Sequence, residues 1–261
     1  MTLDALPQVA ARDVPTAAAV EMAEADRIAS EVLGIPLEAL MENAARQIAA
    51  AARAFLGDLD GQIVAAVVGT GNNGGDALAA LRHLLGWGAE VDAFVAGPAE
   101  RLRPLARRQY EILKRLEVPL YDTTTLDDRF LVHRLRGRNL ILDGLIGYST
   151  RGAPRDEIAR LIAVASAASA GGAPPILAVD LPSGIDPDTG EPLSPEPQGA
   201  IAAALTVTLA LPKAGLLRDA PRGHVGDLLL ADIGIPAKAY EGVGIDARSV
   251  FAAGDLLRVV S

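Results

Sequence analysis

Apolar residues in this chain fall into short continuous runs separated by stretches of helical spacing. Between 63 and 85 the run IVAAVV stops in a glycine- and asparagine-rich loop and resumes with helical spacing, which predicts a strand, a ligand loop and a helix. Upstream, 16–30 and 37–55 are predicted helices separated by Gly34-Ile35-Pro36, with Leu37, Leu40, Met41, Ala44 and Ile48 on one face of the second. Downstream, strands are predicted at Glu90–Val95, 139–142, Ile176–Val179, Leu205–Leu209 and 228–231, with helices at 100–116 and 154–168. The uncharged stretch 161–179 is interrupted by Gly171-Gly172 and Pro174-Pro175, so it reads as helix, turn and buried strand rather than a membrane span. Alternating strands and helices indicate an α/β protein with a mostly parallel sheet covered on both faces.

Composition narrows the function. A chain of 261 residues, half of them apolar, can bury one large core, and the only long polar, proline-rich loop, 182–197, is too short to divide it; one domain spanning 1–261 is expected. The formal charge of -9 and a pI near 4.9 disfavour nucleic-acid binding. There is no cysteine, which removes disulfides, thiolate metal sites and thiol catalysis and suits a reducing cytoplasm. The N-terminus lacks the basic start and apolar core of an export signal, so neither export nor membrane anchoring is expected. His83, His133 and His224 form no metal-spacing pair, which leaves oxygen ligands for any ion.

The loop after the first long apolar run carries the clearest chemistry. Gly69, Gly71, Gly74 and Gly75 would let the backbone turn sharply and approach a ligand, leaving the N–H groups of the next helix free for an anion. Gly69, Gly71 and Gly74 also satisfy a dinucleotide fingerprint, with Glu90 and Asp92 at about the expected distance. Against that reading, two helices precede the strand, and Asn72-Asn73 and Asp76 go unexplained; a glycine turn with a capping aspartate is the plainer alternative. Two further strand ends carry acids, LILDG at 140–144 and AVDLPSGID at 178–186. Each aspartate alone reads as a cap or turn residue, but ligands of parallel sheets bind outside the strand carboxyl ends, where Asp143, Asp180 and the loop at Asn73 could converge. Lys213 reads as either a phosphate contact or a solvated lysine, and the arginine-rich run 101–108 as a solvated helix face. Ser183 is not in a nucleophile-elbow motif.

Taken together, Ala23 to Asp26, Leu40-Met41-Glu42-Asn43-Ala44, Gly69 to Asp76, Leu142 to Gly147, Val179 to Asp186, Thr206 to Leu216 and Asp232-Ile233-Gly234-Ile235-Pro236 resemble, in order, the YjeF N-terminal domain family, whose enzymatic members are NAD(P)H-hydrate epimerases. The resemblance implies a Rossmann-like three-layer αβα sandwich with two N-terminal helices. It also implies a substrate, hydrated NADH or NADPH (NADHX, NADPHX), in which water has added to the dihydronicotinamide ring. Asn72, Asn73, Gly74, Gly75 and Asp76, with Gly147, Tyr148, Ser149, Thr150, Arg151, Gly152 and Ala153, match the substrate-contacting positions. Asp180 matches the position beside the reacting ring. Asn73, Asp143 and Ser183 match a potassium site, and their hard oxygens suit an alkali cation.

Epimerisation removes the ring hydroxyl with help from the neighbouring nitrogen's lone pair and returns water to the other face. Asp180 is the candidate acid/base, given burial enough to raise its reference pKa of about 3.9. Ala45, Ala77 and the run Tyr148-Ser149-Thr150-Arg151 depart from the family pattern. Tyr148 could stack on a ring and Arg151 could bind phosphate, or either could be an ordinary surface residue. Family members are often fused to a dehydratase for which this chain has no room, so a separate dehydratase is the expected pathway partner; a homodimer is a further expectation. A noncatalytic nucleotide-binding module and an ordinary dehydrogenase are the competing functions.

Overall fold

In a computed structural model the chain is described over residues 2–195, 199–218 and 222–260. In chain order the elements are β1 (Gln8–Ala10), α1 (Ala19–Arg27), α2 (Leu37–Leu56), β2 (Ile63–Val68), α3 (Asn72–Gly86), β3 (Glu90–Val95), α4 (Pro104–Arg115), β4 (Leu120–Asp122), α5 (Asp128–Arg136), β5 (Leu140–Gly144), α6 (Asp156–Ala168), β6 (Ile176–Val179), β7 (Leu205–Leu209), α7 (Arg222–Val225), β8 (Asp227–Ala231), α8 (Ala237–Glu241) and β9 (Leu256–Val260). The strands form one sheet in the order β1-β9-β8-β7-β6-β5-β2-β3-β4, parallel throughout except for β8 against β9.

The alternation of side chains along each strand divides the core between the two faces of the sheet. Val64, Ala66, Val68, Leu142, Leu177 and Val207 pack with Ile48 of α2, Leu78 and Leu81 of α3 and Leu113 of α4. Ala65, Val67, Ile141 and Ala178 pack on the opposite side with Leu131 and Leu135 of α5 and Leu161 and Ala165 of α6. The result is three layers, helices on a sheet on helices. Because both faces are covered, the central strands are apolar at nearly every position, which is why they stand out as continuous runs.

The expected alternation of strands and helices is present. α1 is shorter than the predicted 16–30, and its last part continues as a wider π-helical turn at Ile28–Val32. The segment 161–179 is indeed the end of α6, a turn and β6, and among the described residues no helix is long and apolar enough to cross a membrane. The loop from Pro182 doubles back through an Ile185–Pro192 bridge, with the Asp186 carboxylate accepting from the N–H groups of Asp188 and Thr189, both 2.9 Å. Its predicted last residues, 196 and 197, lie outside the described residues. From β2 the sheet grows one way through β3 and β4 and the other way through β5, β6 and β7, so the switch point lies at the carboxyl ends of β2 and β5.

Candidate active site

The loops leaving β2 and β5 meet at that switch point. The N–H of Gly69 donates to the Gly144 carbonyl at 3.0 Å, and a Cβ on Gly69 would lie 1.8 Å from the Leu145 carbonyl oxygen. A Cβ on Gly74 would meet the Gly69 carbonyl at 2.1 Å, and one on Gly75 the Met41 methyl at 2.6 Å. These three glycines have no positive φ, and Gly71, at φ -87°, has nothing within 4 Å of its missing Cβ. The sequence expectation of a sharp turn approaching a ligand is thus corrected: Gly69, Gly74 and Gly75 are required because protein packs on them. The start of α3 is nonetheless free, since its N-cap, Gly71, supplies no side-chain hydrogen bond to the first N–H groups.

Above this junction opens a cleft of about 330 Å³ lined by Asn72, Asn73 and Asp76, by Gly147 to Thr150, and by Asp26, Arg103, Asp180 and Lys213. Asp180 follows β6 in the left-handed conformation, φ 71°, unusual for a residue with a side chain. It is 4% exposed, and its Oδ1 accepts from the Lys213 ammonium and from the Leu209 N–H at 3.3 Å. Lys213, 1% exposed, also donates to the Leu209 carbonyl at 3.0 Å and lies 5.2 Å from the centre of the Tyr148 ring. Lys213 is thus neither solvated nor free for phosphate, as sequence allowed; it is the buried counter-ion of Asp180. The Tyr148 hydroxyl donates to the Asp26 carboxylate, tying the loop after β5 to α1. Burial raises the Asp26 pKa, opposed by that hydrogen bond and by Lys213. Asp76 is pushed well above the usual carboxylate range, first by burial and then by the negative charges of Asp180 and Asp26, with Lys213 opposing.

Beneath the cleft, Asp143 and Ser183 are fully buried. Ser183 donates to Asp143 twice, from Oγ to Oδ1 at 2.7 Å and from its N–H to Oδ2 at 2.8 Å. Burial raises the Asp143 pKa to about 6 even against these bonds. Ile146 joins this pair to Asn73: its N–H donates to Ser183 Oγ at 3.1 Å, and its carbonyl accepts from Asn73 Nδ2 at 3.1 Å. Asn73 Oδ1 stays unbonded among the described residues and sits 3.6 Å from the Cβ that Gly147 lacks. A carboxylate, a hydroxyl, a side-chain amide and a peptide carbonyl are therefore linked through Ile146, and their oxygens are hard donors of the kind that suits a weakly polarising cation.

The cleft brings together residues far apart in sequence but not the whole predicted set. Gly74 and Gly75 are buried behind its wall, while Arg151, Gly152 and Ala153 are exposed and outside its lining. The Arg151 guanidinium has Asp188 at 3.9 Å. The dinucleotide fingerprint fails on geometry: Asp92 is buried in an ion pair with Arg138, with Arg134 at 3.6 Å, and Glu90 is exposed at the amino end of β3, away from the cleft. Sequence reasoning missed the roles of Lys213 and Asp26, whose partners lie 33 and 122 residues away. Arg103, exposed as expected for the arginine-rich run, also stands at the cleft rim ahead of α4.

The comparisons agree with this architecture. A protein named NAD(P)H-hydrate epimerase from Dehalogenimonas lykanthroporepellens is 37% identical over 92% of this chain and 91% of its own length. One of the same name from Levilactobacillus brevis is 34% identical over 84% of this chain and 95% of its own. The bifunctional NAD(P)H-hydrate repair enzyme Nnr of Moorella thermoacetica is 36% identical over 90% of this chain, which spans 43% of that longer protein. The crystal structure of the yeast protein ynu0, YNL200c, shares the fold with a TM-score of 0.76, covering 94% of this chain and 100% of that one at 24% identity. The family described as YjeF-related protein N-terminus matches residues 37–215, which hold the α3 loop, Asp143, Asp180, Ser183 and Lys213, and the chain belongs to that family.

Proposed function

We propose that the chain is an isomerase, an NAD(P)H-hydrate epimerase that interconverts the R and S forms of hydrated NADH and NADPH in nicotinamide cofactor repair. The observation that carries this reading is the ion-paired Asp180 facing the free start of α3 across one cleft, in a chain whose relatives of similar length bear that name.

Loss of the ring hydroxyl, assisted by the ring nitrogen's lone pair, leaves a flat cationic ring that water can re-enter from the other face. Asp180, ion-paired to Lys213 and fixed by the Leu209 N–H, is a positioned proton acceptor for that water and a negative charge beside the cationic ring. The N–H groups of 72–74 and the guanidinium of Arg103 offer the anionic parts of a dinucleotide their contacts. The Tyr148 ring, held by Asp26, supplies an aromatic wall. Asn73, Asp143 and Ser183 would hold a potassium ion, whose charge would organise the floor of the site. Because several relatives carry the name bifunctional repair enzyme, we pair this activity with a dehydratase that consumes one epimer. A cysteine-free sequence suits work in the reducing cytoplasm.

The test is to mix purified protein with each separated hydrate epimer and follow interconversion by chromatography against the uncatalysed rate. Acceleration without change in redox state is the expected result. Binding without acceleration would make the chain a noncatalytic nucleotide module, and net oxidation or reduction would revive the dehydrogenase.

A further inference from the structure

Four aspartates are buried in the described part of the molecule, and three have partners: Asp92 has Arg138, Asp143 has Ser183 and the Leu145 N–H, and Asp180 has Lys213 and the Leu209 N–H. Asp76 is 8% exposed, makes no hydrogen bond among the described residues and lines the cleft. Its carboxyl oxygens are not among the fully enclosed, unpaired side-chain atoms of the described residues, so the group is held free of protein partners and open to whatever occupies the cleft. Asp76 and Asp180 enter the same cleft from different elements, the first from α3 and the second just after β6. Epimerisation poses a matching problem: the hydroxyl departs from one face of the ring and water returns to the other, so a single rigid group cannot serve both faces. The two-carboxyl logic of inverting glycosidases is the analogous solution.

We propose that Asp76 is a second catalytic residue, the proton donor to the departing hydroxyl, acting across the ring from Asp180 as acceptor. This assignment rests on the epimerase reading. The Asp76 carboxyl gives its proton to the ring hydroxyl oxygen. The carbon–oxygen bond breaks with its electron pair going to oxygen, water leaves, and the nitrogen lone pair closes a carbon–nitrogen double bond. Water then bonds to the same carbon from the opposite face, the double-bond pair returns to nitrogen, and Asp180 takes the surplus proton. Asp76 ends ionised and Asp180 protonated, the state needed for the reverse epimerisation, and proton exchange with solvent resets the pair.

The charges around Asp76 agree. Asp26 faces it from α1 and Asp180 from the end of β6, and Lys213, already bonded to Asp180, is the cation acting on it; Tyr148 donates to Asp26 and Arg103 stands at the rim. Burial and the two carboxylates favour the protonated form of Asp76, the form a donor needs.

The experiment measures kcat and KM of wild type and Asp76→Asn for each hydrate epimer, in potassium chloride, across pH. The expected result is a fall in kcat of roughly 10²- to 10⁴-fold with KM little changed, together with loss of the wild-type decline in kcat at high pH. Infrared difference spectra at neutral pH should show a protonated-carboxyl band that is present in wild type and absent from Asp76→Asn; if the amide does not fold, Asp76→Ser carries the same comparison. An active wild type with an equally active variant, a loss confined to KM, or no such band overturns the donor role while the epimerase reading stands. A wild type that leaves both epimers at the uncatalysed rate overturns the epimerase reading and this assignment together.

Discussion

Asp180 and Lys213 cannot be altered independently, because each is the buried counter-charge of the other. Asp180→Asn keeps the shape of the side chain but leaves an ammonium 1% exposed facing an amide. Breaking a buried pair from one side costs about 3–5 kcal/mol, whereas replacing both partners is often near neutral. Asp180→Asn should therefore abolish epimerisation and also lower the urea midpoint, and Asp180→Asn combined with Lys213→Met should recover most of the stability and none of the turnover. Full recovery of activity in the double variant would remove Asp180 from the chemistry. Asp76 gives the opposite sign. Its folded pKa lies above the unfolded value of 3.8, so the stability linked to it is complete below that value and declines as pH rises through the folded one. Asp76→Asn should therefore gain stability over wild type progressively as pH climbs from about 4, and a constant difference between their unfolding midpoints would show that the carboxyl does not titrate high.

At the scale of elements, the α3 loop is defined by what packs on its glycines. Gly69→Ala would drive a methyl into the Leu145 carbonyl, and overpacking of that kind costs typically about 1–3 kcal/mol or more because the β2 and β5 ends must separate. Gly71→Ala has open space and an ordinary φ, so its effect should stay within about 0.5 kcal/mol. Thermal unfolding of the two variants side by side checks the contrast; equal losses would mean that the loop needs flexibility rather than close approach. The same elements show what a sequence can reveal. β2, β5 and β6 are buried on both faces and read as nearly continuous apolar runs, and the acids at the ends of β5 and β6 point to a crevice. β1 and β4 have three residues each and partial exposure, too little pattern to register. In α5 the arginines and His133 hide a stripe of only two buried leucines, Leu131 and Leu135. Within the site the acids were legible and their partners were not: Lys213 meets Asp180, and Tyr148 meets Asp26, only because the sheet order brings separate loops to one end.

For the molecule as a whole, the switch point is also a mechanical junction. The end of β5 carries Asp143 and the loop after it Ile146, the loop after β6 carries Ser183, and α3 carries Asn73; their hydrogen bonds meet around the Ile146 peptide. A potassium ion held there would bridge three segments that are close together only in the folded state. A ligand that binds the folded chain and not the unfolded one stabilises it by mass action, about 2.7 kcal/mol when free ligand is a hundredfold above Kd. Potassium chloride should accordingly raise Tm in a saturable way, beyond the shift given by tetramethylammonium chloride at equal ionic strength, since that cation is too bulky to enter. Asn73→Ala should remove the potassium-specific part while leaving the general salt effect, because the Asp143–Ser183 bonds do not depend on the amide. Identical shifts from the two salts in wild type would rule out the cation site and leave Asp143 and Ser183 as a purely structural clasp between the ends of β5 and β6.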